Sequence, residues 1–321
     1  MSPAPPAPPR SARDAFLGDV LAGLRRAPRA LPSKYLYDAE GGRLFEAITG
    51  LDAYYPTRTE RAILEAHAPA MAREVGPEAA VVEYGSGSSA KTGLLLGALG
   101  RPAAYVPVDI SADALGPAAA RVRAAFPALP VRPVEADYTR PFRLPPLPAH
   151  AVRLAFFPGS TVGNFEPPET TTFLAGVART VGPGGLLLVG ADQRKDPAVL
   201  LRAYDDEEGV TARFNLNLLR RLRRELGAEL DEAAWAHRAA WDAARGRIEM
   251  HLVSLREQAI RLRGQTFAFR AGETIHTESA YKYAPDGLAA LAAPAGWTRR
   301  RRWTDGAGLF AVELYARADS P

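Results

Sequence analysis

The clearest pattern along the chain is a series of five short apolar runs that alternate with helical stretches. The runs are AVVEYG, AYVPVDI, VRPVEAD, VRLAFFPGS and GLLLVGAD, and they lie between Ala80 and Asp192. Short buried strands separated by helices predict a parallel sheet covered by helices on both faces. Ligands of such sheets bind at the carboxyl ends of the strands, so the residues that end each run are the first candidates for a site.

The region before these runs has a different character. Residues 1–13, MSPAPPAPPRSAR, are rich in proline and predict a disordered tail. The segment DAFLGDVLAGLRR that follows has apolar residues at helical spacing and predicts an amphipathic helix. Farther along, Thr57 or Thr59 predicts the start of another helix, with Glu60 in its first turn.

After Asp196 the chain passes from helices to alternating strands. RIEMHLVSL, QAIRLRG, QTFAFRAGE and TIHTESAYKY predict strands, and GWTRRRRWTD with GLFAVELYAR predicts an antiparallel pair that closes the sheet. Alternation places two arginines on each face of the first strand of this pair, at a solvated edge. We therefore predict a sheet domain from residues 60–195 and 286–318, and a second lobe from residues 14–59 and 196–285.

A glycine loop follows the first apolar run and opens a helical stretch. Gly85 and Gly87 let the backbone turn tightly and approach a ligand closely. The helix that follows offers unpaired N–H groups and the positive end of its dipole. The spacing of Gly85, Gly87 and Ala90 fits the nucleotide loop of an NAD-binding protein and that of an S-adenosylmethionine (SAM) methyltransferase.

The ends of the later runs favour SAM over NAD. Asp109 stands where an acid accepts both ribose hydroxyls, which serves either cofactor. Asp137 and Tyr138 suit an adenine, with the acid facing its amino group and the aromatic ring offering a stacking face. The proline-glycine turn in VGPGGLLLVG is typical of SAM methyltransferases. An NAD-binding oxidoreductase remains the alternative.

Composition narrows the chemistry and the compartment. The 321 residues, 47% of them hydrophobic, are enough to bury a sizeable core. Cysteine is absent, which excludes disulfides and thiol nucleophiles, and the five histidines lack metal-ligand spacing, so no metal is expected. No apolar segment is long enough to span a membrane, and we expect a cytoplasmic protein without a membrane partner.

Arginine clusters raise the separate hypothesis of a nucleic-acid methyltransferase, although the formal net charge is only +4. The clusters are Arg299–Arg302 and the arginines of LLRRLRRELG, Arg220–Arg224. Helical spacing makes the second cluster a solvated face, and no nucleic-acid module accompanies either cluster. We therefore predict a small-molecule substrate and no nucleic-acid partner. Lysine is rare beside arginine, and its four positions are Lys34, Lys91, Lys195 and Lys282.

Together these segments resemble the histidine-specific SAM-dependent methyltransferases, which make trimethylhistidine (hercynine) for ergothioneine biosynthesis. The resemblance runs from about Leu31 to Ala316 and rests on LPSKYLYD, YYPTRTE, EYGSGSSAKT, PVDIS, ADY, FFPGSTVGNFEP, RAYDDEEGVTARFN, RIEMHL and TESAYKY. The combination of YYPTRTE, GSTVGN and AYDD is specific, although no single element is.

The resemblance implies a fold, an activity and an assembly state. The fold would be a class I SAM-methyltransferase (Rossmann-like) parallel sheet with an antiparallel C-terminal strand, plus a second α+β lobe that binds the substrate. The activity would be transfer of three methyl groups from SAM to the α-amine of L-histidine. The protein would be a monomer.

The resemblance also implies roles for individual residues. SAM would contact Gly85, Ser86, Gly87, Lys91, Asp109, Asp137, Tyr138, Gly159 and Ser160. The amino acid would contact Tyr54, Asn164, Tyr204, Met250, Glu278 and Ala280, with Tyr37, Asn164 and Tyr204 as the catalytic residues.

One position departs from the pattern of the family. Glu278 is expected at an imidazole N–H, and the family pattern places a serine two positions later, where this chain has Ala280. The hydroxyl of the neighbouring Ser279 should point to the opposite face of a strand. Another free amino acid or an aromatic amine therefore stays open as the substrate.

Overall fold

The computed structural model describes residues 12–86 and 90–317, without the side chains of residues 90 and 112–114. Gly87 and most of the predicted tail lie outside these ranges. The helices are α1 (Ala12–Arg25), α2 (Ala39–Thr49), α3 (Tyr55–Val75), α4 (Ala90–Leu99), α5 (Ala112–Ala125), α6 (Pro167–Val181), α7 (Pro197–Tyr204), α8 (Val210–Leu226) and α9 (Gly287–Ala292). None of the helices in the described ranges is long and apolar enough to cross a bilayer.

Thirteen strands accompany these helices within the described residues. They are β1 (Arg29–Ala30), β2 (Ala80–Tyr84), β3 (Ala104–Asp109), β4 (Val134–Glu135), β5 (Arg153–Phe157), β6 (Leu186–Asp192), β7 (Trp235–Asp242), β8 (Arg247–Ser254), β9 (Gln258–Leu262), β10 (Gln265–Phe269), β11 (Thr274–Tyr281), β12 (Trp297–Thr304) and β13 (Phe310–Arg317). Short 3-10 helices cover Ser33–Leu36, Thr161–Asn164, Glu232–Ala234 and Ala293–Ala295.

The five predicted apolar runs form the parallel part of a seven-stranded sheet. Its strand order is β12-β13-β6-β5-β2-β3-β4. The pairs β2–β3, β2–β5, β3–β4 and β5–β6 are parallel, whereas β13 runs antiparallel to both β6 and β12. The order reverses at β2, which puts β2 and β5 at the switch point where ligands of open sheets bind. The expected class I sheet with an antiparallel C-terminal strand is thus confirmed.

Both faces of this sheet are buried, as the continuous apolar runs predicted. Val82 and Tyr84 belong to a core cluster that includes Phe173 of α6. Val81 belongs to a second cluster, which includes Leu64 of α3. Because successive side chains of a strand point to opposite faces, the two clusters cover the two sides of the sheet.

The remaining strands form a four-stranded sheet, ordered β1-β11-β8-β7, and a two-stranded sheet of β9 and β10. The four strands predicted after Asp196 correspond to β8, β9, β10 and β11. β7 and the two-residue β1 were not predicted. β1 exists through its pairing with β11, in which Arg29 lies opposite Ile275, and such a distant partner leaves no periodic signal in the sequence.

The chain divides into two compact units. We call Phe45–Ala203, Trp241–Ile248 and Ser279–Pro321 the sheet unit, and Met1–Leu44, Tyr204–Ala240 and Glu249–Glu278 the second unit. The boundaries and the substrate-binding role predicted for the second lobe stay predictions.

Helix α3 begins earlier than predicted. It starts at Tyr55 with Pro56 in its first turn, and the Thr59 hydroxyl donates to the Tyr55 carbonyl at 2.8 Å instead of capping. Proline favours the first helical position because its φ is already helical and its missing N–H has no partner to lose there. The cap predicted at Thr57 or Thr59 is therefore wrong.

The arginines of α8 are confirmed as a largely solvated face, with one exception. Arg220 and Arg223 are exposed and pair with Glu232 at 3.3 and 2.6 Å. Arg221 is instead part-buried, and its guanidinium donates to the Tyr35 carbonyl at 2.8 Å. It lies beside Leu222 at the border of the apolar face, where its long side chain reaches the neighbouring backbone.

The arginine strand β12 departs from strict alternation. Arg299 lies opposite Tyr315 and Arg301 opposite Leu314, which leaves Arg300 in a bulge. Because of the extra residue, Arg299 and Arg302 both reach the buried carboxylate of Glu313, at 3.5 and 3.1 Å. The strict alternation predicted for this strand is therefore wrong, because Arg299 shares its face with Arg302 and not with Arg301.

A pair of substitutions tests the division of labour along α8. We expect Leu222→Ala to lower the free energy of unfolding by about 2–5 kcal/mol, because Leu222 is fully buried. Arg220→Ala should change it by less than about 0.5 kcal/mol, since an exposed ion pair contributes little. Urea denaturation of both variants checks the contrast, and similar losses in the two would contradict it.

Candidate active site

The carboxyl ends of β2, β3 and β4 bring three predicted cofactor residues to one edge of the sheet. Gly85 donates its N–H to the Val108 carbonyl at 2.8 Å, which sets it beside Asp109. The Asp109 carbonyl in turn accepts from Ala136 N at 2.9 Å, directly before Asp137. The predicted grouping of Gly85, Asp109 and Asp137 at one strand edge is therefore observed.

Gly85 has a conformation that favours glycine. Its φ is 73°, in the left-handed region that side chains with a Cβ rarely adopt. A Cβ built there would lie 3.8 Å from both Cε1 and the hydroxyl oxygen of Tyr138. The glycine loop and Tyr138 are thus neighbours.

Asp109 and Asp137 each organise their own turn. Asp109 Oδ1 accepts from Ser111 N at 2.9 Å, and burial raises the pKa of this carboxyl above its ordinary value. Asp137 Oδ1 accepts from Thr139 N at 3.0 Å and from its hydroxyl at 2.5 Å. Both turns are Asx turns, which hold the carboxylates in place before any ligand arrives.

Tyr138 is part of an aromatic cluster rather than an isolated ring. Its centroid lies 5.9 Å from Tyr84, 5.9 Å from Phe157 and 6.0 Å from Phe173, in edge-to-face geometry each time. Burial raises the pKa of its hydroxyl. The cluster fixes the ring that was predicted to meet the adenine.

Glu83, the last acid before the glycine loop, is buried and bonded within the sheet unit. It accepts from the Thr92 hydroxyl at 2.7 Å to each oxygen and from the Tyr105 hydroxyl. Burial raises its pKa to about 7, against the opposing effect of these hydrogen bonds. Thr92 belongs to α4, so Glu83 ties the strand before the loop to the helix after it.

A second buried acid, Glu60 of α3, joins two loops at the strand ends. It accepts from Gly159 N at 3.0 and 2.8 Å and pairs with Lys91 Nζ at 2.5 Å. Gly159 follows β5 and Lys91 opens α4. Two residues predicted to contact the cofactor are therefore held by one carboxylate.

A third buried acid, Asp192, ends β6 and has partners from three segments. Its carboxylate accepts from the Tyr55 hydroxyl at 2.9 and 2.7 Å. It also pairs with Lys195 Nζ at 2.5 Å and with Lys282 Nζ at 2.8 Å. Tyr55 directly follows Tyr54, so this cluster fixes the start of α3 where a substrate residue is predicted.

Besides the bond from Gly159 N to Glu60, the loop GSTVGN after β5 has three further contacts. Ser160 has a φ of 58° and its hydroxyl accepts from Asp192 N at 2.9 Å. The Val162 carbonyl accepts from the Tyr283 hydroxyl at 3.2 Å, and a Cβ on Gly163 would lie 2.8 Å from the Tyr281 carbonyl. These contacts leave the 3-10 helix that ends in Asn164 little freedom.

Asn164 does not cap the helix that follows it. The N-cap of α6 is Glu166, which forms a capping box with Glu169. Tyr54 is also predicted to contact the substrate and lies in the sheet unit. It is buried, and its ring centroid is 6.2 Å from that of Phe45.

In the second unit, Tyr37 and Glu278 come together. The Tyr37 hydroxyl donates to Glu278 Oε2 at 3.4 Å, and its ring contacts Phe214 edge-on at 5.3 Å. Glu278 is only 6% exposed, so it does not face water from its strand. Met250 is buried on β8 and its carbonyl accepts from the Thr277 hydroxyl at 3.0 Å.

Tyr204 is held through its backbone by a buried histidine. His237 Nε2 contacts the Tyr204 carbonyl at 2.8 Å, and its Nδ1 contacts Asn215 Nδ2 at 2.9 Å. Burial lowers the pKa of His237, which favours the neutral ring with its proton on Nε2. Asp206 accepts from Val210 N and Thr211 N at 2.8 and 2.7 Å, which satisfies two N–H groups in the first turn of α8.

The groups at this edge fit a nucleoside-containing cofactor such as SAM. Gly85 allows close backbone approach, Asp109 offers a pre-organised acceptor, and Tyr138 is a fixed aromatic ring. Within the described ranges, no group of three or more histidine or acidic side chains is placed to hold a metal ion.

Comparison with known proteins identifies the family. Residues 16–317 match the family described as histidine-specific methyltransferase, SAM-dependent. The chain belongs to this family. SAM is therefore the cofactor of this methyltransferase, and the NAD-binding alternative falls.

Several relatives cover most of the chain. It is 41% identical over 313 residues to the histidine N-alpha-methyltransferase of Mycolicibacterium smegmatis, with 96% of each chain covered. It is also 41% identical over 304 residues to the enzyme of that name from Mycobacterium tuberculosis, covering 93% of this chain and 94% of that one. Ergothioneine biosynthesis protein 1 of Neurospora crassa is 31% identical over 299 residues, covering 91% of this chain and 33% of the relative.

The sequence pattern did not reveal the structural roles that Glu60, Asp192 and His237 have in this methyltransferase. The sequence predicts only a first-turn helix position for Glu60 and the end of a strand for Asp192. His237 lacks metal-ligand spacing and therefore gives no signal of its own. One signal did exist. Three of the rare lysines, Lys91, Lys195 and Lys282, pair with Glu60 and Asp192.

The raised pKa of Glu83 predicts a pH dependence of stability. Between about pH 4.5 and 7 the folded chain keeps a proton on Glu83 that the unfolded chain has released. The Glu83 contribution to the free energy of unfolding therefore falls as pH rises through this window. Glutamine does not titrate. The free energy of unfolding of Glu83→Gln minus that of wild type should therefore rise by about 2–4 kcal/mol between pH 4.5 and 8.

Denaturation of both proteins at several pH values measures this difference. Subtracting wild type from the variant cancels the opposite contribution of the buried histidines, whose pKa values are lowered. A difference that stays flat across the window would contradict a protonated Glu83.

Proposed function

We propose that this protein transfers methyl groups from SAM to the α-amine of free L-histidine, up to the trimethyl product hercynine. The full-length similarity to two histidine N-alpha-methyltransferases carries the proposal. A buried glutamate in contact with a tyrosine, Glu278 with Tyr37, supports it because such a pair can recognise an imidazole.

The proposed roles follow the predicted residues. Gly85, Lys91, Asp109, Asp137, Tyr138, Gly159 and Ser160 serve SAM, as do Ser86 and Gly87 on the glycine loop. Asn164 and Tyr204 hold the amine and carboxylate end of the amino acid, and Tyr54 also contacts the amino acid. Glu278 accepts from the imidazole N–H, and Tyr37 and Met250 complete the wall of the substrate pocket.

Bound SAM would supply a sulfonium methyl group whose carbon an amine lone pair can attack in line, so that the N–C bond forms, the C–S bond breaks and the neutral thioether leaves. The protein has to align the amine and keep it neutral. A nearby sulfonium opposes an ammonium by on the order of 4 kcal/mol at intermediate dielectric, which lowers the amine pKa from roughly 8. Asn164 and the tyrosine hydroxyls orient the lone pair, and water carries off the proton.

After each of the first two transfers the ammonium product can lose a proton and regain a lone pair, whereas the trimethylated nitrogen has no N–H left to lose. The trimethyl stage is therefore the natural end of the reaction. No side chain has to act as a general base, because a neutral amine is already nucleophilic.

A second substrate is favoured by one observation, the alanine at position 280. Ala280 and Ser279 are both buried on β11, which continues as a strand to Tyr281. Loss of one neutral hydrogen bond to the imidazole costs about 0.5–1.5 kcal/mol, so histidine binds up to roughly tenfold more weakly. Another free amino acid of similar size then competes better.

Mass spectrometry of the twenty free amino acids, each incubated with enzyme and SAM, tests the proposal. We expect histidine to give mono-, di- and trimethylated products. Ala280→Ser should lower the KM for histidine by up to about tenfold. Glu278→Ala should remove the preference for histidine over other aromatic amino acids, because the charge-assisted bond is lost.

Binding of SAM to each variant is the control for folding. Affinity for SAM should stay near wild type in both. If wild type ignores histidine yet methylates another amino acid, and Ala280→Ser does not restore histidine, the substrate assignment is wrong while the family chemistry stands.

A further inference from the structure

Glu60 is a buried acid that none of the roles above uses. It lies in the second turn of α3, is 1% exposed, and bonds Gly159 N and Lys91 Nζ. A Cβ at Gly190 of β6 would collide with Glu60 Oε1. The glycine on β6 thus makes the room in which this carboxylate reaches both loops.

The partner of Glu60 is a cation at the cofactor edge. Lys91 lies in the first turn of α4, directly after the glycine loop, and its side chain is only 17% exposed. A partly buried ammonium is weakly screened by solvent, so its field extends into the neighbouring loop. Glu83 also lies near enough to Lys91 to interact, but its carboxyl is bonded to Thr92 and Tyr105.

The cofactor of this family changes its charge during the reaction. SAM carries a positive sulfonium, whereas the product S-adenosylhomocysteine (SAH) has a neutral thioether and is otherwise the same molecule without the transferred methyl group. An uncompensated lysine near the glycine loop would repel SAM and leave SAH unaffected at sulfur. A paired lysine would not make this distinction.

We propose that Glu60 is a positioning residue that neutralises Lys91 and thereby sets the preference of the site for SAM over SAH. The same carboxylate fixes the Gly159 N–H, so the neutralising charge and the loop geometry depend on one group. The inference rests on the proposed placement of SAM at the glycine loop. Since three methyl transfers need three exchanges of SAH for SAM, this preference bears on every turnover.

Calorimetric dissociation constants for SAM and SAH test the proposal in four proteins: wild type, Glu60→Gln, Lys91→Met and the double variant. Glutamine can still accept from Gly159 N but leaves Lys91 uncompensated. We expect Glu60→Gln to weaken SAM relative to SAH by about threefold to tenfold. Lys91→Met should shift the ratio in the opposite direction, and the double variant should return it towards wild type.

Glu65→Gln is the matched control. Glu65 lies on the same helix and pairs with Arg61 at 2.7 Å, but both side chains are exposed. The same change of charge should leave the ratio within about twofold, because solvent screens it. A shift as large as that of Glu60→Gln would overturn the specific role of the buried pair.

Other outcomes separate this inference from the proposed function. Equal weakening of SAM and SAH in Glu60→Gln, with no rescue in the double variant, would reduce Glu60 to a loop support and overturn the charge argument. If Glu60→Gln fails to fold, the Lys91→Met variant decides alone. A shift of its affinity ratio towards SAM supports the proposal, and an unchanged ratio overturns it. Wild type that binds neither SAM nor SAH would overturn the cofactor placement itself.

Discussion

Buried carboxylates need partners from their own chain, and this constraint organises the sheet unit. Glu60, Glu83, Asp192 and Glu313 are almost fully buried. An acid taken out of water has to be paired with a cation, hydrogen-bonded or protonated. Glu83 has hydroxyl partners and a pKa raised to about 7, whereas the other three acids are paired with lysine or arginine. The partners supplied are Lys91, Gly159 N, Thr92, Tyr105, Tyr55, Lys195, Lys282, Arg299, Arg302 and Tyr315.

The pairing reaches the proposed chemistry because Gly159 and Lys195 follow parallel strands, and Lys91 and Thr92 open the helix after the glycine loop. Glu83 links β2 to α4, and Glu60 links α3 to the loop after β5. Asp192 fixes the residue after Tyr54 and, through its N–H, the loop that leads to Asn164. Removing one partner would leave a buried charge uncompensated, so these loops are held together rather than separately.

Much of the fold was predictable because it depends on local pattern. Five apolar runs predicted the strands β2–β6. Alternation of apolar and polar residues predicted β8–β11 and the closing pair β12 and β13. The site was predictable as residue types at strand ends, such as Gly85 and Asp109. Contacts between distant segments, such as Tyr37 with Glu278 or His237 with Tyr204, leave no periodicity in the sequence. The same holds for the bulge at Arg300.

The central claim is that the strand edge at Gly85 and Asp109 binds SAM, and the affinity of Asp109→Ala for SAM tests it most directly. The alanine removes the carboxylate that is proposed to accept from the ribose hydroxyls, and we expect the sheet to remain intact. Charge-assisted bonds of this kind contribute about 1.5–3 kcal/mol, so the account predicts a loss of one to two orders of magnitude in affinity. An affinity within a factor of two of wild type, in a variant with unchanged unfolding free energy, would contradict it.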